Sequence, residues 1–235
     1  MEDVSLWESK FETCDYSDKL LAKLISLNER AKNKIDLTEV KKAIYYAKKY
    51  HASQLRQTGE PYYSHPIEVA YMASDYLFRT DIVVTSILHD TIEDTDLTFK
   101  MIKIIFSEKI ANQVMDLTRI KDGNKISSAE MVNSLWLQKK YDLLFIKEMD
   151  RLHNIRTIEV KSPEKATKII KETLGTFLVL ATFLGLKDVE EELRLLCSRF
   201  LAPHKTYLQN KRFLGGGFSL PALTSRNVLT HKKNQ

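Results

Sequence analysis

Cysteine is almost missing from this chain: Cys14 and Cys197 are its only two, far apart and outside any chelating spacing. That argues against a disulfide framework and a thiolate metal site, and reads as two ordinary thiols in a reducing compartment. Also missing is any run of about 18 apolar residues, so no membrane-spanning helix is expected. The start, Met1-Glu2-Asp3, has neither the basic residues nor the apolar stretch of a signal peptide, and a cytoplasmic location is expected. Acidic residues are absent from Leu193 to Gln235, a stretch holding eight Lys/Arg. The preceding part carries 28 basic against 31 acidic residues, so the net charge of +5 belongs to the tail and the body is near neutral. A domain that grips a nucleic-acid backbone carries its own basic face, so neither nucleic acid nor membrane is expected as a partner.

What is present is helical periodicity, with no segment alternating for long as a half-buried strand does. Val40, Ala43, Ile44 and Ala47 repeat with helical spacing behind Asp36 or Thr38 as a cap. A loop from Gln54 to Tyr62 follows, punctuated by Gly59 and Pro61. Pro66 suits a first helical position, which puts His65 at or next to an N-cap. Thr98 is expected to open a helix carrying Met101, Ile102, Ile105, Ile110, Val114 and Leu117. Residues 112–129 read as a helix end running into an exposed loop. Helices are expected again from Leu143 to Ile158, from Ser162-Pro163 through Phe177, and over 187–201.

The chemistry concentrates in His89-Asp90-Thr91-Ile92-Glu93-Asp94. On one continuous helix His89, Glu93, Asp90 and Asp94 fall near about 0°, 40°, 100° and 140°, with Val84, Leu88 and Ile92 opposite, facing a core. Such a cluster is costly to half-bury unless a metal or a phosphate substrate uses it. His65, at a helix N-terminus, is disfavoured as imidazolium and left as the neutral ring that metals bind. Asp150, Asn154 and Thr157 form a polar stripe on an otherwise apolar helix. Two imidazoles and two carboxylates, His65, His89, Asp90 and Asp150, suit a borderline-to-hard divalent ion such as Mn(II), Fe(II) or Zn(II).

Three segments in order, Arg56-Gln57-Thr58-Gly59-Glu60-Pro61-Tyr62 with His65-Pro66, His89 to Thr95, and Asp150 to Thr157, resemble the hydrolase domain of the RelA/SpoT family. That family falls within the HD-domain phosphohydrolases, and the resemblance runs from about Val40 to Leu186. It implies an all-α HD-domain helical bundle that binds one Mn(II). It also implies removal of the 3′-pyrophosphate from guanosine tetra- or pentaphosphate, giving GDP or GTP plus pyrophosphate. On the matching positions, His65, His89, Asp90 and Asp150 would hold the metal. Glu93 and Asp94 would handle the attacking water and its protons, and Arg56, Asn154 and Thr157 would contact the nucleotide.

The chain departs from the family pattern at several points. Gln57 stands where many members carry a second basic residue, and Lys147-Glu148-Met149 replaces a usual Lys-Leu-Ala before the aspartate. Ala181-Thr182-Phe183 lacks the polar-Arg pair common before Leu-Gly. The expected organisation is an N-terminal helical extension over 1–34, the HD-type domain over 35–186, a connector helix over 187–208 and a flexible basic tail over 209–235, with no synthetase domain. Homo-oligomerisation, or a separate synthetase fragment docking on the connector, is left open. Two rival readings stand beside this one: a related HD phosphohydrolase of another nucleotide, and a weakly active nucleotide-binding regulatory remnant.

Overall fold

A computed structural model describes residues 4–121 and 124–202. The expected basic tail over 209–235, and the end of the connector, lie outside the described residues. A 3-10 turn, Val4–Lys10, leads to α1 (Asp15–Arg30), α2 (Leu37–His51), α3 (Ser64–Ala73), α4 (Thr80–Leu88) and the single-turn α5 (Thr91–Asp94). Then come α6 (Phe99–Ile105), α7 (Glu108–Leu117), and two two-residue strands, β1 (Ile120–Lys121) and β2 (Asn124–Lys125). The remainder is α8 (Ser128–Leu137), α9 (Tyr141–Arg156), α10 (Pro163–Glu172), a π turn (Thr173–Phe177), α11 (Leu178–Leu184) and α12 (Lys187–Leu201). The fold is all-α, as expected, and no helix among the described residues is long and apolar enough to cross a membrane.

Two apolar cores share one wall. The first gathers Leu20, Leu24, Val40, Ile44, Ile102 and Val114. The second gathers Met131, Leu135, Leu144, Met149, Phe177 and Leu193. α3 gives Ile67 and Ala70 to the first and Val69, Met72 and Ala73 to the second; α4 gives Val83, Val84, Ile87 and Leu88 to the first and Ile82 to the second. Both helices are therefore buried on nearly every side, which is why their sequences carry apolar residues all round rather than along one stripe.

Side chains set the helix ends. Asp36 accepts from the Thr38 and Glu39 amides, and Thr98 accepts from that of Met101. Ser162 caps α10, with Pro163 at the start where its missing N–H costs nothing.

Several sequence expectations are corrected at boundaries. The helix expected from Thr98 to Leu117 is two helices, because Ser107 turns extended and accepts from the Ile110 amide to start α7. α3 begins at Ser64, so Pro66 is its third residue; the first turn needs no intrahelical N–H donor there. The exposed loop expected to end near 129 instead contains the strand pair, with Ile120 opposite Lys125 and Lys121 opposite Asn124. α8 then follows behind Ser127, which forms a capping box with Glu130.

The largest correction concerns His89 to Asp94. α4 stops at Leu88, and His89 and Asp90 form a turn before α5. Local side chains take the last carbonyls of α4: His89 Nδ1 lies 2.8 Å from the Ser86 oxygen, and the Thr91 hydroxyl donates to the Leu88 oxygen at 2.6 Å. A single straight helix would need those carbonyls for the following amides. Ile92 consequently packs at the rim of the first core and is only partly buried.

Candidate metal and phosphate site

α3 starts where α4 ends, and α9 lies across both. This brings His65 from the first turn of α3, His89 and Asp90 from the α4–α5 turn, and Asp150 from mid-α9 to one point. One potential ligand atom each from His65, His89 and Asp150 lie within 4.8 Å of one another. His65 Nε2 is 3.1 Å from Asp150 Oδ1 and 3.6 Å from Asp90 Oδ2. His89 Nε2 is 3.1 Å from Asp90 Oδ1 and 3.9 Å from Asp150 Oδ1. Asp90 thus reaches the two rings with different oxygens.

His65, His89 and Asp150 are buried and Asp90 is partly so, and each group's charge bears on the others. Burial would push the Asp150 carboxyl up, but Lys147 and the two imidazoles hold it well below the usual range. Asp90 is likewise held low against burial, by His89 first. Burial opposes a charge on His89, yet Asp90 and Asp150 outweigh it and lift the ring to about 10. His65 goes the other way, its burial lowering it below the ordinary imidazole value.

Does this set fit a divalent cation? His89 Nε2 is buried without an aligned hydrogen-bond partner, although Asp90 is close. A buried nitrogen that faces two carboxylates without a well-aligned hydrogen bond is well served by a cation between them. The ring's other nitrogen is fixed by the Ser86 carbonyl, which can only accept, so Nδ1 keeps its hydrogen and the proton that a cation would displace is the one on Nε2. Nitrogen and carboxylate donors without sulfur match a borderline-to-hard ion. The residues fit.

A second ring of contacts holds these groups. Lys147 Nζ, itself buried, donates to Asp150 Oδ2, and Asn154 Nδ2 donates to Asp150 Oδ1 at 2.6 Å. Asn154 Oδ1 accepts from Arg56 Nη2 at 3.4 Å, and the Thr157 hydroxyl reaches the Asn154 carbonyl at 3.5 Å. Arg56, Asn154 and Thr157 therefore stand together at the edge of the cluster. Arg56 comes from the loop after α2, which is closed by Arg56 N to Glu60 O and Tyr62 N to Gln54 O. Gly59 turns that loop at φ 92°, a conformation that side-chain-bearing residues resist. Gln57 is exposed on the same loop.

Asp94 and Glu93 differ. Asp94 accepts from the Tyr62 hydroxyl at 2.8 Å, and burial together with Asp90 raises its carboxyl above the usual value. Glu93, whose side chain is 6% exposed, is taken up by the strand pair. Arg119 donates to it from its backbone amide, Nε and Nη2, and Lys125 Nζ lies 2.6 Å away. Although burial opposes it, Lys125 and Arg119 hold Glu93 ionised below its ordinary range.

Several contributors had no role in the sequence reading. Tyr62 bridges Asp90 and Asp94 through its hydroxyl and stacks on His51, with ring centroids 4.6 Å apart. His153 Nδ1 lies 3.0 Å from His65 Nδ1. Lys147 had a readable signal, its spacing of three from Asp150; Arg119 and Lys125 had none, because nothing local tied them to Glu93. Glu148, the departure just before Asp150, is fully buried with both oxygens unpaired, and burial raises its carboxyl well above the ordinary value against the pull of Arg151.

Residues 43–187 match the family described as HD domain. The chain is 36% identical over 186 residues to a GTP pyrophosphokinase rsh of Brucella ovis, covering 77% of this chain and 25% of that protein. It is 36% identical over 170 residues to a guanosine-3′,5′-bis(diphosphate) 3′-pyrophosphohydrolase of Aquifex aeolicus, covering 71% of this chain and 24% of that protein. The chain thus spans about a quarter of the length of these curated relatives. A solved structure described as a metazoan ortholog of SpoT that hydrolyzes ppGpp shares the fold, at TM-score 0.53 and 20% identity, over 73% of this chain and 98% of that one. On the matched domain and the motifs it carries, the chain belongs to the HD-domain family, among its RelA/SpoT-type members.

Proposed function

We propose that this domain is a Mn(II)-dependent hydrolase that removes the 3′-pyrophosphate of guanosine tetra- or pentaphosphate, giving GDP or GTP. One observation carries the reading: the imidazole nitrogens of His65 and His89 and the carboxylates of Asp90 and Asp150 converge from α3, the α4–α5 turn and α9. The names of the relatives from Brucella ovis and Aquifex aeolicus support the substrate class.

His65, His89, Asp90 and Asp150 would hold the ion. When bound, it supplies Lewis-acid charge and makes water more acidic. The chain's own groups supply the rest. Asp94, with its carboxyl raised above the ordinary value and the Tyr62 hydroxyl to fix its direction, is suited to take and return a proton. Glu93 is held as an anion by Arg119 and Lys125, so it acts through charge unless the strand pair releases it. Arg56 offers a planar donor fork to phosphate oxygens or a flat face to the base, and Asn154 holds that arginine beside Asp150. Phosphoryl chemistry asks mainly for such positioning and charge.

The test is to incubate the full chain with guanosine tetraphosphate and Mn²⁺ and identify the products. Pyrophosphate plus GDP is expected. Turnover of other nucleotides alone would move the assignment within the HD phosphohydrolases, and tight binding without turnover would make the domain a regulatory nucleotide binder.

A further inference from the structure

We propose that His153 is a positioning residue that accepts a hydrogen bond from His65 Nδ1 and so locks His65 in the tautomer whose Nε2 lone pair faces the divalent ion. The inference rests on the metal-binding reading above and deepens it.

The geometry is specific. Two Nδ1 atoms 3.0 Å apart must share one hydrogen, one ring donating and the other accepting. Which ring donates is decided at the far side of His65. There Nε2 faces Asp150 Oδ1 at 3.1 Å and Asp90 Oδ2 at 3.6 Å, the cluster where a cation would sit. A neutral imidazole that offers Nε2 to a cation keeps its single N–H on Nδ1. That N–H points at His153, so His153 Nδ1 must present its lone pair and carry its own hydrogen on Nε2.

His89 is held differently. Its Nδ1 is backed by the Ser86 carbonyl, 2.8 Å away, which has no hydrogen to give, and one tautomer is enforced outright. Among the described residues His65 has no such backbone acceptor; its Nδ1 faces another imidazole, which is able to donate or to accept. An orienting partner behind a metal-binding histidine is typically worth 10- to 100-fold in metal affinity. Of the two candidate rings, His65 therefore depends on a side chain that substitution can remove.

The experiment compares Mn²⁺ affinity, by calorimetric titration of the full chain, in the wild type, His153→Phe, His153→Asn and His65→Ala. Phenylalanine keeps a flat ring without an acceptor, whereas the Asn Oδ1 takes nearly the place of the imidazole Nδ1. The expected result is a ~10- to 100-fold loss in His153→Phe and recovery of most of it in His153→Asn. Wild-type affinity in His153→Phe, or an equal loss in both variants, overturns the proposal. Undiminished affinity in His65→Ala instead brings down the metal reading itself, so the two failures are distinguishable. Should His153→Phe not fold, histidine-nitrogen NMR of the Zn²⁺-loaded wild type decides. Hydrogen on His65 Nδ1 and His153 Nε2 is expected, and the opposite placement on either ring overturns it.

Discussion

α9 and the α4–α5 junction deliver carboxylates to the same point by opposite means. α9 is one unbroken helix of 16 residues that buries Lys147, Glu148, Asp150 and Arg151 in its middle. The junction breaks after Leu88, and its side chains cap the carbonyls they interrupt. In α9 the regular backbone places the groups, and partners three or four residues away neutralise them: Lys147 for Asp150, Asn154 for the same carboxylate. At the junction the irregular backbone itself aims His89 and Asp90, and distant residues complete the environment: Tyr62, Arg119 and Lys125. Regular structure thus suits a charge that must be held, and a break suits charges that must diverge in direction.

Substitutions can test that contrast. The largest effect is expected for Asp150→Ala, which strips the ion of a ligand and leaves Lys147 buried and unpaired. Metal binding and turnover should both vanish, and stability measured by denaturant titration should fall by about 3–5 kcal/mol. Full activity in that variant would remove Asp150 from the site. Next comes Thr91→Val at the junction, which keeps the shape but leaves the Leu88 carbonyl without its donor. A loss of about 1–3 kcal/mol is expected, together with weaker metal binding as the turn relaxes. If stability alone changed, the break would be a packing feature and not an aiming device.

Asn154→Ala should cost about 1 kcal/mol and weaken metal affinity ~10-fold, since it removes one of the donors that orient Asp150. Calorimetry on the folded variant reads this directly. The smallest effect belongs to Arg119→Ala and appears as a pH dependence. Glu93 is held below its ordinary value of 4.5, so the stability it contributes is complete above that pH and is lost as pH falls toward the folded value. Melting temperature should therefore drop on acidification through this range in the wild type, and drop less steeply in the variant. Arg119 is about a third exposed, and screening keeps the difference near 1 kcal/mol.

The contrast also explains what was legible in the amino-acid order. Helical spacing in α9 was readable because Asp150 and Asn154 lie four positions apart, although the helix ends at Arg156 and leaves Thr157 just past it, and α12 appeared at 187–201 as expected for the same reason. His65 and His89 could be singled out by their neighbours in sequence. The break after Leu88 was not readable, because Thr91 and His89 are compatible with a helix interior until their side chains choose the backbone as partner. α8 went unseen although Ser127 and Glu130 form its start, since the loop signals of the preceding Asp122-Gly123-Asn124 dominated the reading. Glu93 was legible as a residue type and not as an environment: its partners lie 26 and more residues downstream, across a strand pair too short to leave a pattern.

α3 and α4 serve as a party wall between two apolar interiors, and that has a mechanical consequence. Neither helix can shift to admit a bulkier guest without loosening side chains on both flanks at once. On the proposed function, the seat for the cation is therefore stiff, and tolerance for different nucleotides falls to the rim, to the Gln54–Tyr62 loop and to Arg119 and Lys125 at the strand pair.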